Sequence, residues 1–353
     1  MESLRYLRFS DINIFDSFFD SLKSDYAEFS GWFDKKSSVG EAAYVLHRGT
    51  VIDGFMYLKV ESGVVDDIEP ELENGKHLKI GTFKFNSHGT RRGERFIKKI
   101  FDHALTQNVD DIYVTVFEKH EYLMNLFMKY GFEVHGSKET PNGTESVLVR
   151  NMNEYSGCPL KDYPYVNISE NQKHLLSIQP QYHSRMLPDS ILDNETHDII
   201  QDVSHTNSIH KIYICAMDGV ASFKQGDPLV IYRTSDNKGP ARFRSVATSI
   251  GVVEEYKNIH EFESEVDFLK YCSSYSVFSN EELTTIFRRK RYCHIIRFTY
   301  NTALSRRVTR GSLIDDAGLS EGDYWGVMNI SDVQFQNIIR LGGVDESIII
   351  NKT

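Results

Sequence analysis

The sequence predicts an α+β chain in two parts. A mixed sheet with flanking helices is expected over residues 1–153. A β-rich domain follows over 165–353, as a small barrel or strongly curved sheet with appended helices. Three observations carry this. Strand and helix periods alternate through the first part as a β-rich start followed by β-α-β-α-β. The second part holds five runs rich in β-branched and aromatic residues, separated by polar or glycine-containing turns. Between them, YSGCPLKDYPY (Tyr155–Tyr165) has no period and suits a linker, placed at 154–164.

The elements follow in chain order. LRYLRF is a short strand. IFDSFFDSLKSDYAEFSGWF carries apolar residues at helical intervals, with Lys35 and Lys36 near its end, where cations suit the helix dipole. AAYVLHRG and TVIDGFMYLKVE are β-rich runs about the turn-prone Arg48-Gly49. An acidic loop, GVVDDIEPELENGKH, leads to the strand LKIGTFKF. Then come a glycine-entered helix, the strand DDIYVTVF, the helix HEYLMNLFMKY with a Gly-Phe turn, and a last strand, TESVLVRNM. In the second part HKIYICAM, DPLVIYRT, ARFRSVATSIGVVEEY, YCHIIRFTY and YWGVMNI read as strands. Helices surround HEFESEVDFLKYC and NEELTTIFRRKR. There is no internal repeat or low-complexity tract.

A formal net charge of −10 over 353 residues argues against indiscriminate nucleic-acid binding, which rests on many cationic contacts to phosphate. Residues 165–353 hold 20 Lys and Arg against 24 Asp and Glu, and residues 1–164 hold 20 against 26. Neither part is basic, so a nucleic-acid role would use a local pocket. No run approaches the ~18–20 apolar residues that span a bilayer. The opening MESLRYLRFSD has no apolar signal region, and a cytoplasmic setting without membrane attachment is expected. Cys158, Cys215, Cys272 and Cys293 lie far apart with no CxxC pair, so neither a metal site nor a disulfide framework is indicated. The oligomeric state stays open, a homodimer included.

The stretch FKFNSHGTRRGERFIKKIF (Phe83–Phe101) turns from an alternating strand through glycine into a helix. Phe96, Ile97, Ile100 and Phe101 recur at helical spacing, with Lys98 and Lys99 on the other face. Free N–H groups at such a helix start, its dipole and two guanidiniums suit a phosphate group. An ordinary amphipathic helix with solvated charges fits the same residues.

Together with the order of elements, this stretch resembles the GNAT N-acetyltransferase superfamily over residues 1–150. The family's Arg/Gln-x-x-Gly-x-Gly/Ala loop corresponds to Thr90-Arg91-Arg92-Gly93-Glu94-Arg95. Gly93 matches the first glycine, while Thr90 and Arg95 depart from the pattern. Leu126-Phe127-Met128-Lys129-Tyr130-Gly131-Phe132 is similar to the family's Leu-Tyr-x-x-x-Gly-Phe at the expected distance. The resemblance implies that acetyl-CoA is bound by Phe83, Phe85, Phe127 and the amides of Arg91, Arg92, Gly93, Glu94, Arg95 and Phe96. Where many relatives place a tyrosine that protonates the leaving thiolate, this chain has Phe127, which has no proton to give. Tyr130 is the candidate substitute, with packing beside the Gly-Phe turn as its alternative. Glu61 is the candidate base for the acceptor amine, or a solvated strand-end carboxylate. His88 and His120 flank the cofactor edge as polar surface residues or catalysts.

The second part contains Gly226-Asp227 entering the apolar strand that ends Tyr232-Arg233, then Ile250-Gly251-Val252-Val253-Glu254. It resembles the PUA-like barrels, their ASCH and EVE groups above all, over residues 165–350. The resemblance implies a pocket for RNA or a modified nucleobase. Arg233, Arg242 and Arg244 on adjacent strand ends, interleaved with Tyr232 and Phe243, would stack a base and hold its phosphate; a plain turn at Gly226-Asp227 and a core ring at Tyr232 are the alternative. The run Phe287-Arg288-Arg289-Lys290-Arg291-Tyr292 suits a helix C-terminus, with nucleic-acid contact as the alternative. The whole reads as an acetyl-CoA-dependent N-acetyltransferase acting on an RNA-linked or nucleotide-like acceptor. Such a pairing of domains suits a toxin–antitoxin or defence system. The alternative is a non-catalytic acetyl-CoA-binding regulatory or scaffold protein.

Overall fold

The computed structural model describes residues 2–86, 92–187 and 208–351. The chain divides into two compact units, Met1–Ser156 and Gly157–Thr353. The first runs β1 (Glu2–Arg8), α1 (Asp20–Asp25), α2 (Phe29–Ser38), β2 (Ala42–Arg48), β3 (Val51–Val65), β4 (Leu72–Phe85), α3 (Arg92–Gln107), β5 (Asp111–Val116), α4 (Glu121–Lys129), β6 (Glu133–Thr140) and β7 (Gly143–Asn151). Its seven strands form one mixed sheet in the order β1-β2-β3-β4-β5-β7-β6. Among the described residues of this sheet, only β4 and β5 pair in parallel. A parallel pair needs a crossover, and α3 supplies it.

Helices cover both faces. On α3, Phe96, Ile97, Ile100, Phe101 and Ala104 are buried, the stripe its periodicity predicts. Gly54 of β3 turns toward that helix, and a Cβ there would lie 2.6 Å from the Phe96 ring. Its neighbour Phe55 turns the opposite way, as strand alternation requires, and meets Phe9, Phe19 and Phe33. These rings belong to the aromatic core under α1 and α2.

Three features differ from the sequence expectation. The first helical stretch breaks at Tyr26–Glu28 into α1 and α2. The acidic loop shrinks to residues 66–71, because β3 and β4 extend into it as a long antiparallel hairpin. β6, read as no element, pairs with β7 at the sheet edge. EVHGSKET has almost no apolar residue to alternate, as suits an edge strand with no fully buried face.

The second unit runs β8 (Val166–Asn167), β9 (Lys173–Ile178), α5 (Pro180–Met186), β10 (His210–Cys215), β11 (Pro228–Arg233), α6 (Ala241–Arg244), β12 (Val246–Asn258), α7 (Glu265–Cys272), α8 (Asn280–Arg289), β13 (His294–Thr309), α9 (Arg310–Asp315), β14 (Val327–Ile330), α10 (Asp332–Gly342) and β15 (Ile349–Ile350). Six strands form a mixed sheet in the order β10-β13-β12-β11-β9-β14. Among the described residues no pairing joins the edges β10 and β14 into a closed barrel. Bulges bend the long β12–β13 pair, which gives curvature without closure. β9 has all six residues buried and no alternation to mark it. α7 and α8 form where expected, and the basic run closes α8, with Arg288 Nε 3.1 Å from Glu265.

Among the described residues, no helix is long and apolar enough to cross a membrane, and no cluster of three His, Cys, Asp or Glu could hold a metal ion. Cys215, Cys272 and Cys293 form no disulfide among the described residues.

Two contacts around β3, β4 and β6 yield measurable expectations. His77 is 2% exposed; its Nδ1 lies 2.9 Å from both Asp111 carboxylate oxygens and its Nε2 lies 2.9 Å from Gly63 O. Both partners only accept, so the protonated ring satisfies both. Burial opposes the charge, but these bonds and the charge of Asp111 outweigh it and raise the His77 pKa. Stability from a raised histidine is complete below its unfolded value near 6.5 and is lost as pH rises through the folded value. His77→Gln should therefore lose about 1–3 kcal/mol at pH 6, and less at pH 9, in urea denaturation. An equal loss at both pH values would contradict a charged His77. A Cβ at Gly136 would collide with Glu69 O and lie 2.6 Å from Pro70 Cδ. Gly136→Ala should thus cost about 1–3 kcal/mol in the same assay. An unchanged midpoint would mean that the 66–71 loop yields freely.

Candidate active site

The parallel pairing of β4 and β5 lasts only from His77↔Asp111 to Ile80↔Val114. Beyond it β4 continues to Phe85 against β3, while β5 continues to Val116 against β7. A bulge at Gly81 marks the parting: Tyr57 pairs with Thr82 and Leu58 with Ile80. A Cβ at Gly81 would lie 2.9 Å from the Tyr57 ring, so the bulge needs glycine. An extra residue bends its strand and adds twist. The result is a splay in which no strand among the described residues covers the β4 edge.

A cleft of about 720 Å³ opens there, between Ile80–Phe85 of β4 and Val114–Val116 of β5. It is bordered by residues of α1 and α2 and their junction, by Lys119–Leu123, and by Lys138, Thr140 and Glu145 of the β6–β7 hairpin. Phe83 and Phe85 both line it. Phe83 rests on Phe96 (5.6 Å between ring centroids) and on Phe127 (5.3 Å). Phe96 and Phe127 are therefore a buried backing to the cleft wall. The first turn of α3 packs onto the same wall. A Cβ at Gly93 would lie 2.6 Å from Leu126 Cδ2 and 2.9 Å from Phe85 Cζ. A side chain at this position would have to displace Leu126 or Phe85, so packing favours glycine here whatever ligand is present.

His88, Thr90 and Arg91 lie outside the described residues, as does the side chain of Arg92. The side chains of Glu94 and Arg95 are buried, and Glu94 pairs with Lys129 of α4 at 2.9 Å, which leaves the expectation for their backbone amides as it stands. The two proposed catalysts also need correction. Glu61 lies outside the cleft lining, opposite His77 in the hairpin register. Its carboxylate accepts from Tyr113 and from Lys59 at 2.6 Å, with Lys79 at 4.0 Å. Burial works against these partners, but they prevail and lower its pKa. Tyr130 is fully buried at the end of α4 and also lies outside the lining. His120 lines the cleft, with Nε2 3.4 Å from Asp25.

The cleft's own polar centre is a pair that sequence reasoning missed. Tyr26, at the α1–α2 junction, donates from Oη to Oε1 of Glu145 on β7 at 2.7 Å. Glu145 is 4% exposed, and the Tyr26 ring stacks on Phe117 at 5.3 Å. Burial first, and then the hydrogen bond and charge of Glu145, raise the Tyr26 pKa, so the phenol keeps its proton. The available signal was strand alternation: in TESVLVRN, Glu145 shares a face with Val147 and Val149, which pack in the core. A carboxylate on a core face is unusual enough to mark a site.

In the second unit, the expected base pocket is corrected. Tyr232 is 2% exposed, with its ring 5.2 Å from Trp325, and Arg233 is buried. Arg242 and Arg244 do not lie on strand ends. After Pro240 the chain forms α6, where Arg242 pairs with Asp315 (2.6 Å) and Arg244 with Asp236. Phe243 is exposed.

No match was found among descriptions of protein families or among curated proteins. Three solved structures illustrate the partial likeness that exists. "Crystal structure of the NatC complex bound to Gag peptide and CoA" has 14% identity and a TM-score of 0.29, covering 42% of this chain and 98% of that one. The IAA acetyltransferase from Bacillus cereus ATCC 14579 has 12% identity and a TM-score of 0.31, covering 43% and 99%. Arabidopsis thaliana Naa50 in complex with the bisubstrate analogue CoA-Ac-MVNAL has 17% identity and a TM-score of 0.30, covering 42% and 98%. Likeness at this level assigns the chain to no family.

Proposed function

We propose that the β4/β5 cleft binds acetyl-CoA and that the chain is an N-acetyltransferase of GNAT type. The splay beyond Ile80 is the observation that carries this reading. The uncovered edge of β4 can hydrogen-bond an extended amide chain as an added strand would, which fits a pantetheine arm. The cleft volume, about 720 Å³, lies in the range of small-molecule sites. Phe83 and Phe85 give it an apolar wall, and α3 begins beside that wall with Gly93 packed on Phe85. Bound there, acetyl-CoA would supply an activated acyl group as a thioester. The chain's residues would hold it, exclude water and receive the acceptor from the side of Tyr26 and Glu145.

Phe127 favours a second reading, that of a non-catalytic acetyl-CoA sensor or scaffold. It is fully buried and backs the cleft with a ring that cannot donate a proton. Against that reading, a thiol of ordinary pKa near 8.5 needs only about 2 kcal/mol to leave as thiolate at pH 7. That is a modest loss beside the usual worth of a general acid. The RNA-linked acceptor has less support, since Tyr232 and Arg233 are buried and Arg242 and Arg244 are paired.

Calorimetry with the full chain should show acetyl-CoA binding. Thr115→Trp, which fills the cleft from β5, should weaken it at least 30-fold while leaving the melting transition in place. Absence of binding to the wild-type chain, or equal binding by the variant, would reject the site.

A further inference from the structure

Within the cleft, charge is distributed unevenly. Lys119 pairs with Asp25 at 2.6 Å, and Lys138, which lies opposite Glu145 in the β6–β7 register, sends its ammonium to Asp67. Lys84 donates to Phe18 O and, at 2.5 Å, to Ser21 Oγ. Two carboxylates of the lining take their hydrogen bonds from neutral groups only, with no ammonium in ion-pair contact among the described residues. Glu28 accepts from Asn142 Nδ2 at 3.0 Å, and Glu145 accepts from Tyr26. A carboxylate as buried as Glu145 is unfavourable without a counter-charge, and one phenol offsets only part of that loss.

We propose that Tyr26 and Glu145 form an ammonium-accepting subsite, so that the acceptor is a primary alkyl amine, and that Glu145 takes up the proton this amine must lose. The proposal rests on the acetyl-CoA reading of the same cleft. An alkyl ammonium supplies the missing positive charge, whereas the exocyclic amine of a nucleobase is neutral and does not. The ammonium passes one proton to Tyr26 Oη as Tyr26 passes its own to Glu145. The freed lone pair forms the C–N bond to the acyl carbon while the C–S bond breaks and sulfur leaves with its electron pair. The nitrogen's remaining excess proton goes to that thiolate, which leaves an amide, a thiol and a protonated Glu145 that returns its proton to water. The nucleophile itself thus supplies the proton that Phe127 cannot. The raised pKa of Tyr26 accords with a phenol that relays a proton and is not itself the base. Asp25 and Glu28 face the same ring and reinforce its proton retention.

The test compares the full-length chain with Glu145→Gln, which keeps an oxygen for Tyr26, and with Tyr26→Phe, which removes a single oxygen atom. Three measurements are made on each: acetyl-CoA binding by calorimetry, spermidine binding to the CoA-loaded protein, and acetylation of spermidine, lysine, a free-amine hexapeptide, adenosine and cytidine by mass spectrometry. Acetyl-CoA should bind all three proteins within about twofold. Spermidine affinity should fall at least tenfold in Glu145→Gln. Products should be confined to the alkyl amines, lower by at least 100-fold in Glu145→Gln and about tenfold in Tyr26→Phe. Acetylation of a nucleoside, alkyl-amine transfer undiminished in Glu145→Gln, or no alkyl-amine product from a chain that binds acetyl-CoA would each overturn the subsite. Failure of the wild-type chain to bind acetyl-CoA would instead defeat the reading on which it rests.

Discussion

Four residues of parallel pairing between β4 and β5 organise the first unit. The pair exists because α3 carries the chain over one face of the sheet, and it ends because Gly81 inserts a bulge where Tyr57 leaves no room for a side chain. With pairing ended, one face of the splay is closed by Phe83 against Phe96 and Phe127. The other is reached by Tyr26 from the α1–α2 junction and by Glu145 from β7. A longer parallel pair would leave no cleft between β4 and β5. A shorter one would lose the His77–Asp111 link that fixes β4 on β5 at the far end.

The fold of this unit was legible where apolar periodicity was strong. α3 shows its stripe at Phe96, Ile97, Ile100 and Phe101, and in β5 Ile112, Val114 and Val116 alternate plainly. β6 was not legible, since an edge strand needs no apolar face. In the second unit β9 was hidden by the opposite circumstance, six buried residues in a row. α10 carried a local signal that periodicity alone passes over, Ser331 and Gln334 in a capping box.

The site was legible only in part, for a geometric reason. Phe83 and Phe85, named through the family resemblance, lie on the strand that forms one wall of the cleft. Tyr26 and Glu145 are 119 residues apart and meet only because sheet order places β7 beside β5. Glu61 misled because a strand-end carboxylate looks free in sequence, whereas the hairpin surrounds it with Lys59, Lys79 and Tyr113. Arg242 and Arg244 misled in the same way, since their carboxylate partners, Asp315 and Asp236, become neighbours only on folding.

The central claim is that acetyl-CoA occupies the β4/β5 splay, and backbone hydrogen exchange reads that edge directly. Added acetyl-CoA should slow exchange in peptides covering residues 80–86 and 114–117, where an extended ligand would bond the uncovered strand. Exchange in β9 to β12 of the second unit should be unchanged. Protection confined to the second unit, or none at 80–86 under saturating acetyl-CoA, would contradict the account.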